Sequence, residues 1–244
     1  MLNLISLFTS YDGEVNGFHG PGTPSIFIRL AGCNVGCKWC DTKYANKPDI
    51  VQPHSVDQLI DAVVLSNTCT GVKKVTITGG EPLLQFDCCD LIRKLHARDY
   101  LITIETSGTI DLAPILLKVR TDRIGSRRIR FIVDYKLASA QAKRPPHTPS
   151  YALLNEDDYI KFVIASDYDY TQAIQILEEN PQWKANIAFS PMLGKGSIVG
   201  AVCEARRLAE KLLQDMQTKP ILAKVQYNLQ LHKILWPMPE SEEH

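Results

Sequence analysis

Charge of one sign has no excess in this chain. Its 244 residues carry 27 basic and 27 acidic side chains, a formal net charge of zero. That balance argues against an extended nucleic-acid field and predicts no nucleic-acid partner. A local basic patch remains at Arg123, Arg127, Arg128 and Arg130, read as a solvated loop before a strand. Long apolar runs are also missing. No stretch approaches the ~20 residues of a membrane span. The opening MLNLISLFTSYDGE has no basic segment, and its apolar part is too short for a secretion signal. Cysteines do not pair off: there are seven, an odd number. A secreted disulfide framework is usually shorter and evenly paired. These absences together predict a reducing, cytoplasmic setting in which thiolates are free to hold metal. Neither a clean linker nor a close internal repeat divides the chain, so we expect a single domain over 1–244.

What is present is alternation. SIFIRLAG, VKKVTITGG, YLITIETSG, RIRFIVDYKL, DYIKFVIAS, ANIAFSPM and AKVQYNLQL read as strands. Between them, SVDQLIDAVVLS, FDCCDLIRKLHARD, YTQAIQILEEN and VCEARRLAEKLLQDMQ carry a helical period. Ser55 and Gln58 have the spacing of a capping box at the start of the first helix. Pro181 ends the third. Ala138 to Asp158, with KRPPHTPS, reads as a long loop. Strand–helix alternation argues for parallel βαβ units. The apolar runs are nearly continuous, as in strands covered on both faces. Six or seven units are too few for a closed eightfold barrel. The expectation is an α/β fold, a partial (open) parallel β/α barrel with about six core strands. Its polar and glycine-rich motifs, GCNVGCKWCDT, TGGEP, ETSG and DYK, all follow strand runs. In parallel barrels such loops build the active site, so the four should converge.

The first of these motifs carries the chemistry. Cys33, Cys37 and Cys40 fall within eight residues, with no fourth cysteine nearby. Structural zinc wants four ligands, typically from two C-x-x-C pairs. Redox chemistry at Cys37 and Cys40 would leave Cys33 unexplained. Fe–S clusters are usually held by four cysteines. A 4Fe-4S cluster on three would leave one iron open to a small chelating ligand. Gly32 and Gly36 would let the loop wrap a bulky cube. Zinc with a distant fourth ligand remains the alternative. TITGGEP, Thr76 to Pro82, adds two glycines for close backbone approach and Glu81 for an ammonium partner; taken alone, the run is an ordinary turn.

The C-x-x-x-C-x-x-C spacing, with Trp39 before the last cysteine, resembles the signature of the radical S-adenosylmethionine (SAM) superfamily. Within it, FTSYDGEVNGFHGPGTPSIFIRLAGCNVGCKWCDTKYA resembles the opening of the 7-carboxy-7-deazaguanine synthase family. DYIKFVIA and NLQLHKILW resemble later runs of that family, so the likeness spans about residues 3 to 236. It implies a radical SAM barrel whose mouth is closed by segments 1–24 and 223–244. It implies a 4Fe-4S cluster on Cys33, Cys37 and Cys40, with SAM on the open iron and Mg²⁺ as a further cofactor. The implied reaction contracts 6-carboxy-5,6,7,8-tetrahydropterin to 7-carboxy-7-deazaguanine with loss of ammonia, a step toward 7-deazapurines such as queuosine. A flavodoxin or ferredoxin as reductant and a homodimer come with the resemblance. The alternative within the superfamily is an activase that installs a glycyl radical on a partner enzyme.

The resemblance also assigns residues. Thr42 matches a magnesium contact, although a threonine there could simply cap a turn. Trp39, Cys40, Asp41, Gly80 and Glu81 match SAM contacts, as do Glu105, Thr106 and Ser107, and then Asp134, Tyr135, Lys136 and Leu137. Asp12, Gly13, Glu14, Arg29, Thr78 and His232 match the substrate site. Arg29 could clamp a carboxylate bidentately or pair with a core acid, and His232 could be structural. Two departures stand out. Asp12 replaces the family's glutamine, and an ionised acid accepts but cannot donate. PMPESEEH extends past Trp236, with the composition of a flexible tail.

Overall fold

Side chains alternate across a strand with period two, and that alternation divides this protein into two environments. A computed structural model describes residues 1–15, 18–46, 51–121, 127–194 and 197–236. Among these, nine strands form one sheet. They are β1 (Leu2–Tyr11), β2 (Pro24–Leu30), β3 (Gln52–His54), β4 (Lys74–Gly79), β5 (Leu101–Thr106), β6 (Ile129–Tyr135), β7 (Tyr159–Ile164), β8 (Asn186–Pro191) and β9 (Val225–Tyr227). Their order is β3-β1-β2-β4-β5-β6-β7-β8-β9. From β2 through β9 every neighbouring pair is parallel. β1 runs antiparallel to both β2 and β3. The two edge strands do not meet, so the expected open parallel barrel is borne out, with six long parallel strands and a short seventh.

On the outer face Ile26, Ile28, Leu30, Ile77, Ile102, Ile104, Phe131, Ile160, Phe162 and Phe189 are fully buried in the main core. Helices cover this face: α1 (Val56–Thr70), α2 (Cys88–His96), α3 (Ala113–Val119), α4 (Thr148–Tyr151), α5 (Asp167–Glu179) and α6 (Ile198–Asp215). A final short helix, α7 (Leu231–Leu235), follows β9. The residues between those isoleucines and phenylalanines face inward. Arg29 stands opposite Thr78 in register, Thr76 opposite Thr103, Glu105 opposite Ile132, and Asp134 opposite Lys161. The strands are therefore not uniformly apolar. One face is a helix-packed core and the other is largely polar, with a small apolar floor of Val15, Ile132, Tyr159 and Ala188.

The first helix starts where expected. Ser55 Oγ accepts from the Gln58 amide at 3.1 Å, and Gln58 Oε1 accepts from the Ser55 amide at 2.7 Å. Gly71, at φ 73°, closes the helix. Three expectations need correction. β1 and β3 were not anticipated, nor was α3. The stretch from Ala138 to Asp158 is not plain loop, because it contains α4 and docks on the cysteine loop through Lys38 N to Ala140 O and Lys143 N to Val35 O. In the basic patch, Arg128 pairs with Asp99, and Arg130 with Asp157 at 2.6 Å. Arg123 and the tail beyond Trp236 lie outside the described residues. No helix among the described residues is long and apolar enough to cross a membrane.

Candidate active site

The four strand-end motifs do converge. Loops after β2, β4, β5 and β6 border one cavity, which Cys33, Cys37, Cys40, Thr42, Gly80, Thr106, Ser107 and Lys136 all line. The loop after β2 is anchored by backbone bonds. Gly32 N donates to Ala45 O at 2.9 Å and Cys33 N to Asn46 Oδ1 at 2.7 Å. The end of β4 lies hard against it. Gly80 N donates to Leu30 O at 3.0 Å, and Glu81 N to Gly32 O at 2.8 Å. A Cβ at Gly79 would stand 2.1 Å from Leu30 O, and one at Gly80 2.2 Å from Gly32 O. Both glycines are therefore required by this backbone abutment, and Gly79 also sits at φ 153°.

The three thiols are free and partly exposed. Among the described residues no three Cys, His, Asp or Glu side chains converge on a point for one metal ion. All three sulfurs belong to residues that line one cavity, and thiolates are the donors Fe–S clusters take. Thr42 Oγ1 donates to Gly79 O at 3.4 Å and lies 3.5 Å from Cys40 Sγ, so its hydroxyl stands at the cysteine loop with oxygen lone pairs still to offer.

The deeper wall is an array of buried charge. Glu14 accepts from Asn228 Nδ2 and Gln230 Nε2, each at 2.7 Å, and lies 3.2 Å from Lys161 Nζ. Lys161 also reaches Asp134 at 3.1 Å, and Asp134 pairs with Lys136. Burial pushes Glu14 upward, but Lys161, His232 and Gln230 outweigh it and hold the carboxyl below its ordinary range. Burial likewise opposes ionisation of Asp134, yet Lys136 and Lys161 keep it low. Lys161 is held charged against burial by Asp134, Glu14 and Glu105. Glu105 fares differently. Burial, then the carboxylates of Asp12 and Glu14, push it up to about 7, with Lys161 and Thr78 opposing. It is the carboxyl of this wall that titrates near neutrality.

A stability prediction follows from that shift. The folded state holds the Glu105 proton more tightly than the unfolded chain, whose carboxyl has the ordinary value of 4.5. Its contribution is therefore present at low pH and lost as pH rises from about 4.5 to about 7. Denaturant unfolding of wild type and Glu105→Gln should diverge in favour of the variant by about 2 kcal/mol between about pH 5 and pH 8. Parallel stability curves would rule out the shift.

Of the residues singled out from sequence, the cavity also collects Asp12, Gly13, Glu14, Arg29, Trp39, Asp41, Thr78, Glu105, Asp134 and His232. Arg29 forms no salt bridge with a described residue; its guanidinium stands 6.0 Å from the Phe8 ring. Asp41 is held well below the usual carboxylate range: burial opposes this, but His232, Lys233 and Arg29 prevail. Three residues are not brought to the lining. The alternation that sends Asp134 inward sends Tyr135 outward, among Tyr151, Phe162 and Trp183. Leu137 is in the apolar core. Glu81 is fully buried and accepts from Thr106 Oγ1 at 2.9 Å, Ser107 N at 2.6 Å and Leu83 N at 3.0 Å. It ties strand ends together inside the wall. Sequence reasoning passed over Lys161, Asn228 and Gln230. For Lys161 the signal was a lysine inside an apolar strand run. The two amides carried none, because their partner lies at the far end of the chain.

The sequence profile of the radical SAM superfamily matches residues 27–125. A 7-carboxy-7-deazaguanine synthase of Clostridium acetobutylicum is 34% identical over 235 residues, covering 96% of this chain and 95% of that protein. One of Chlorobaculum tepidum is 34% identical over 242 residues, covering 96% and 94%. Among solved structures, Streptococcus suis SuiB bound to S-adenosylmethionine superposes with a TM-score of 0.59 at 15% identity. It covers 83% of this chain and 49% of that one, a likeness of fold alone. With the cysteine loop, the open barrel and near-complete coverage by these relatives in agreement, the chain belongs to the 7-carboxy-7-deazaguanine synthase family of radical SAM enzymes.

Proposed function

We propose that this enzyme contracts 6-carboxy-5,6,7,8-tetrahydropterin to 7-carboxy-7-deazaguanine with loss of ammonia. The observation that carries this reading is that three thiols of one loop and the buried Glu14–Lys161–Asp134 array line the same cavity. Cys33, Cys37 and Cys40 would hold a 4Fe-4S cluster with SAM beside it, and together these would supply radical chemistry for hydrogen abstraction from the substrate.

The chain's own residues do the rest. Glu14, kept anionic by Lys161 and the two amides, accepts hydrogen bonds from the guanidine-like edge of the pterin. Arg29 offers its fork to the substrate carboxylate. Gly80, Thr106, Ser107 and Asp134 bound the SAM side. The described residues of segments 1–24 and 223–244, which run no further than Trp236, close the mouth and keep water from a reactive site. Support for that closure comes from Leu231 N, which donates to Gly13 O at 3.2 Å, and from Gly13 itself, where a Cβ would stand 2.9 Å from His232 N. The protein is a single cytoplasmic domain, works as a homodimer, receives electrons from a flavodoxin or ferredoxin and feeds a queuosine-type pathway. The glycyl-radical activase is the weaker reading, since full-length relatives carry the synthase name.

Thr42 would hold Mg²⁺ in part, since its oxygen suits a hard cation. Anaerobic turnover with the carboxypterin, SAM, a reductant and Mg²⁺ should yield the deazaguanine chromophore. Thr42→Ala should raise the Mg²⁺ concentration for half-maximal rate about tenfold or more, the loss of one ligand contact. An unchanged Mg²⁺ dependence would remove Thr42 from the metal site. Deoxyadenosine formation that ignores the pterin would sink the substrate assignment.

A further inference from the structure

Asp12 borders the substrate wall yet has no exposed surface. Its carboxylate is turned into the protein. Oδ2 accepts from Lys74 Nζ at 2.7 Å and from Thr76 Oγ1 at 3.1 Å, and Oδ1 accepts from the Glu14 amide at 3.1 Å. Lys74, the first residue of β4, is almost as deeply buried, 4% exposed. Its ammonium also reaches Thr23 Oγ1 at 3.2 Å. The backbone closes the same knot: Asp12 N donates to Thr23 O at 2.8 Å and Gly22 N to Asp12 O at 2.7 Å. One carboxylate thus joins a strand of the barrel to the backbone of the residue that presents Glu14.

We propose that Lys74 is a positioning residue for the substrate pocket: acting through Asp12 it fixes the turn that presents Glu14, and the two charges can be neutralised only together. The inference rests on the reading that Glu14 receives the pterin. Its physical basis is an asymmetry. Removing one partner of a buried ion pair leaves a charge without compensation, whereas replacing both with neutral groups of similar volume is often nearly free. An amide at position 12 can still accept from the Glu14 amide and donate to Thr76 Oγ1. With Lys74 present, that amide would face an ammonium it cannot balance. This also accounts for the acid standing where the family pattern has glutamine, since the acid comes with its own buried lysine.

The test is a double-mutant cycle on reconstituted, anaerobic enzyme, with wild type, Asp12→Asn, Lys74→Met and the double variant. KM and kcat are measured for the carboxypterin, and SAM affinity by calorimetry. Each single variant should raise KM about tenfold or more while kcat changes less than about threefold. The double variant should return KM to within about threefold of wild type. SAM affinity should be unchanged throughout, which a general structural defect would not spare. A double variant no better than its worse parent, or a single variant with wild-type KM, overturns the inference. Should Lys74→Met not fold, the comparison of Asp12→Asn with the double variant decides alone: recovery supports the pairing and equality overturns it. Wild type that cleaves SAM but does not turn over the pterin is a distinct outcome, in which the substrate reading fails and the inference falls with it.

Discussion

Cys33→Ala, Cys37→Ala or Cys40→Ala should each abolish deoxyadenosine formation, with loss of the broad iron–sulfur absorbance after reconstitution. The reason lies in how the loop holds its thiols. Gly32, Val35 and Lys38 are fixed through backbone bonds to Ala45, Lys143 and Ala140, and Cys33 N donates to the Asn46 side chain. The thiols are therefore presented to the cavity by a loop tied to its neighbours through protein hydrogen bonds. Alanine should spare this scaffold, so the melting temperature of the metal-free protein should move by less than about 2 °C, as for partly exposed substitutions away from the core. The remaining cysteines cannot substitute. Cys88 and Cys89 lie in α2, where burial pushes both thiols up, and Cys69 and Cys203 lie on α1 and α6; none of the four lines the cavity. Retention of a full iron complement by any single variant would show that a ligand outside the loop serves the cluster.

Lys161→Met should be the most destabilising single change in the substrate wall. Lys161 lies 3.2 Å from Glu14 and 3.1 Å from Asp134, with its side chain 8% exposed. The methionine keeps the stem but removes the ammonium, leaving two carboxylates with reduced compensation. Breaking a buried pair in this way costs about 3–5 kcal/mol, a large share of ordinary stability. The pH dependence carries a sign. In wild type both carboxyls are held below their ordinary values. Their stabilisation is present above those values and is lost only as pH falls through the depressed ones. Without Lys161 both should titrate higher, so the deficit is greatest at neutral pH and shrinks as acid protonates them. Denaturant unfolding at about pH 7.5 and about pH 5.5 measures both points. A deficit under about 1 kcal/mol at the higher pH would mean that Asn228, Gln230 and Lys136 suffice.

What the sequence made legible is what local chemistry dictates. The Ser55–Gln58 cap, the seven parallel strands and the three thiols could be read because each is written within a few neighbouring residues. β1 escaped because LNLISLFTSY mixes polar residues with apolar ones and is half-exposed along an antiparallel partner. β3, three residues long, is set by pairing with β1 rather than by its own composition. In the site, the sequence indicates that Gly79 and Gly80 serve close backbone approach. The backbones that approach them are those of Leu30 and Gly32, so they serve the fit of two loops. Glu81 looked like a charge for an ammonium and is instead enclosed by Thr106 and Ser107. Motif logic gave the right place but not the direction of the side chain. Lys74 and Lys161 sat in plain view as charges in apolar strands, but only the sheet register shows which carboxylates they meet.

The pairing of Glu14 with Asn228 and Gln230 spans 214 and 216 residues. The thiol loop, by contrast, is tied by contacts that reach no further along the chain than Lys143. During synthesis the metal-binding half can thus take shape early. The half that selects what reacts must wait until nearly the last strand has left the ribosome. The contacts that fix the cysteine loop are thus complete in the chain well before those that complete the substrate wall.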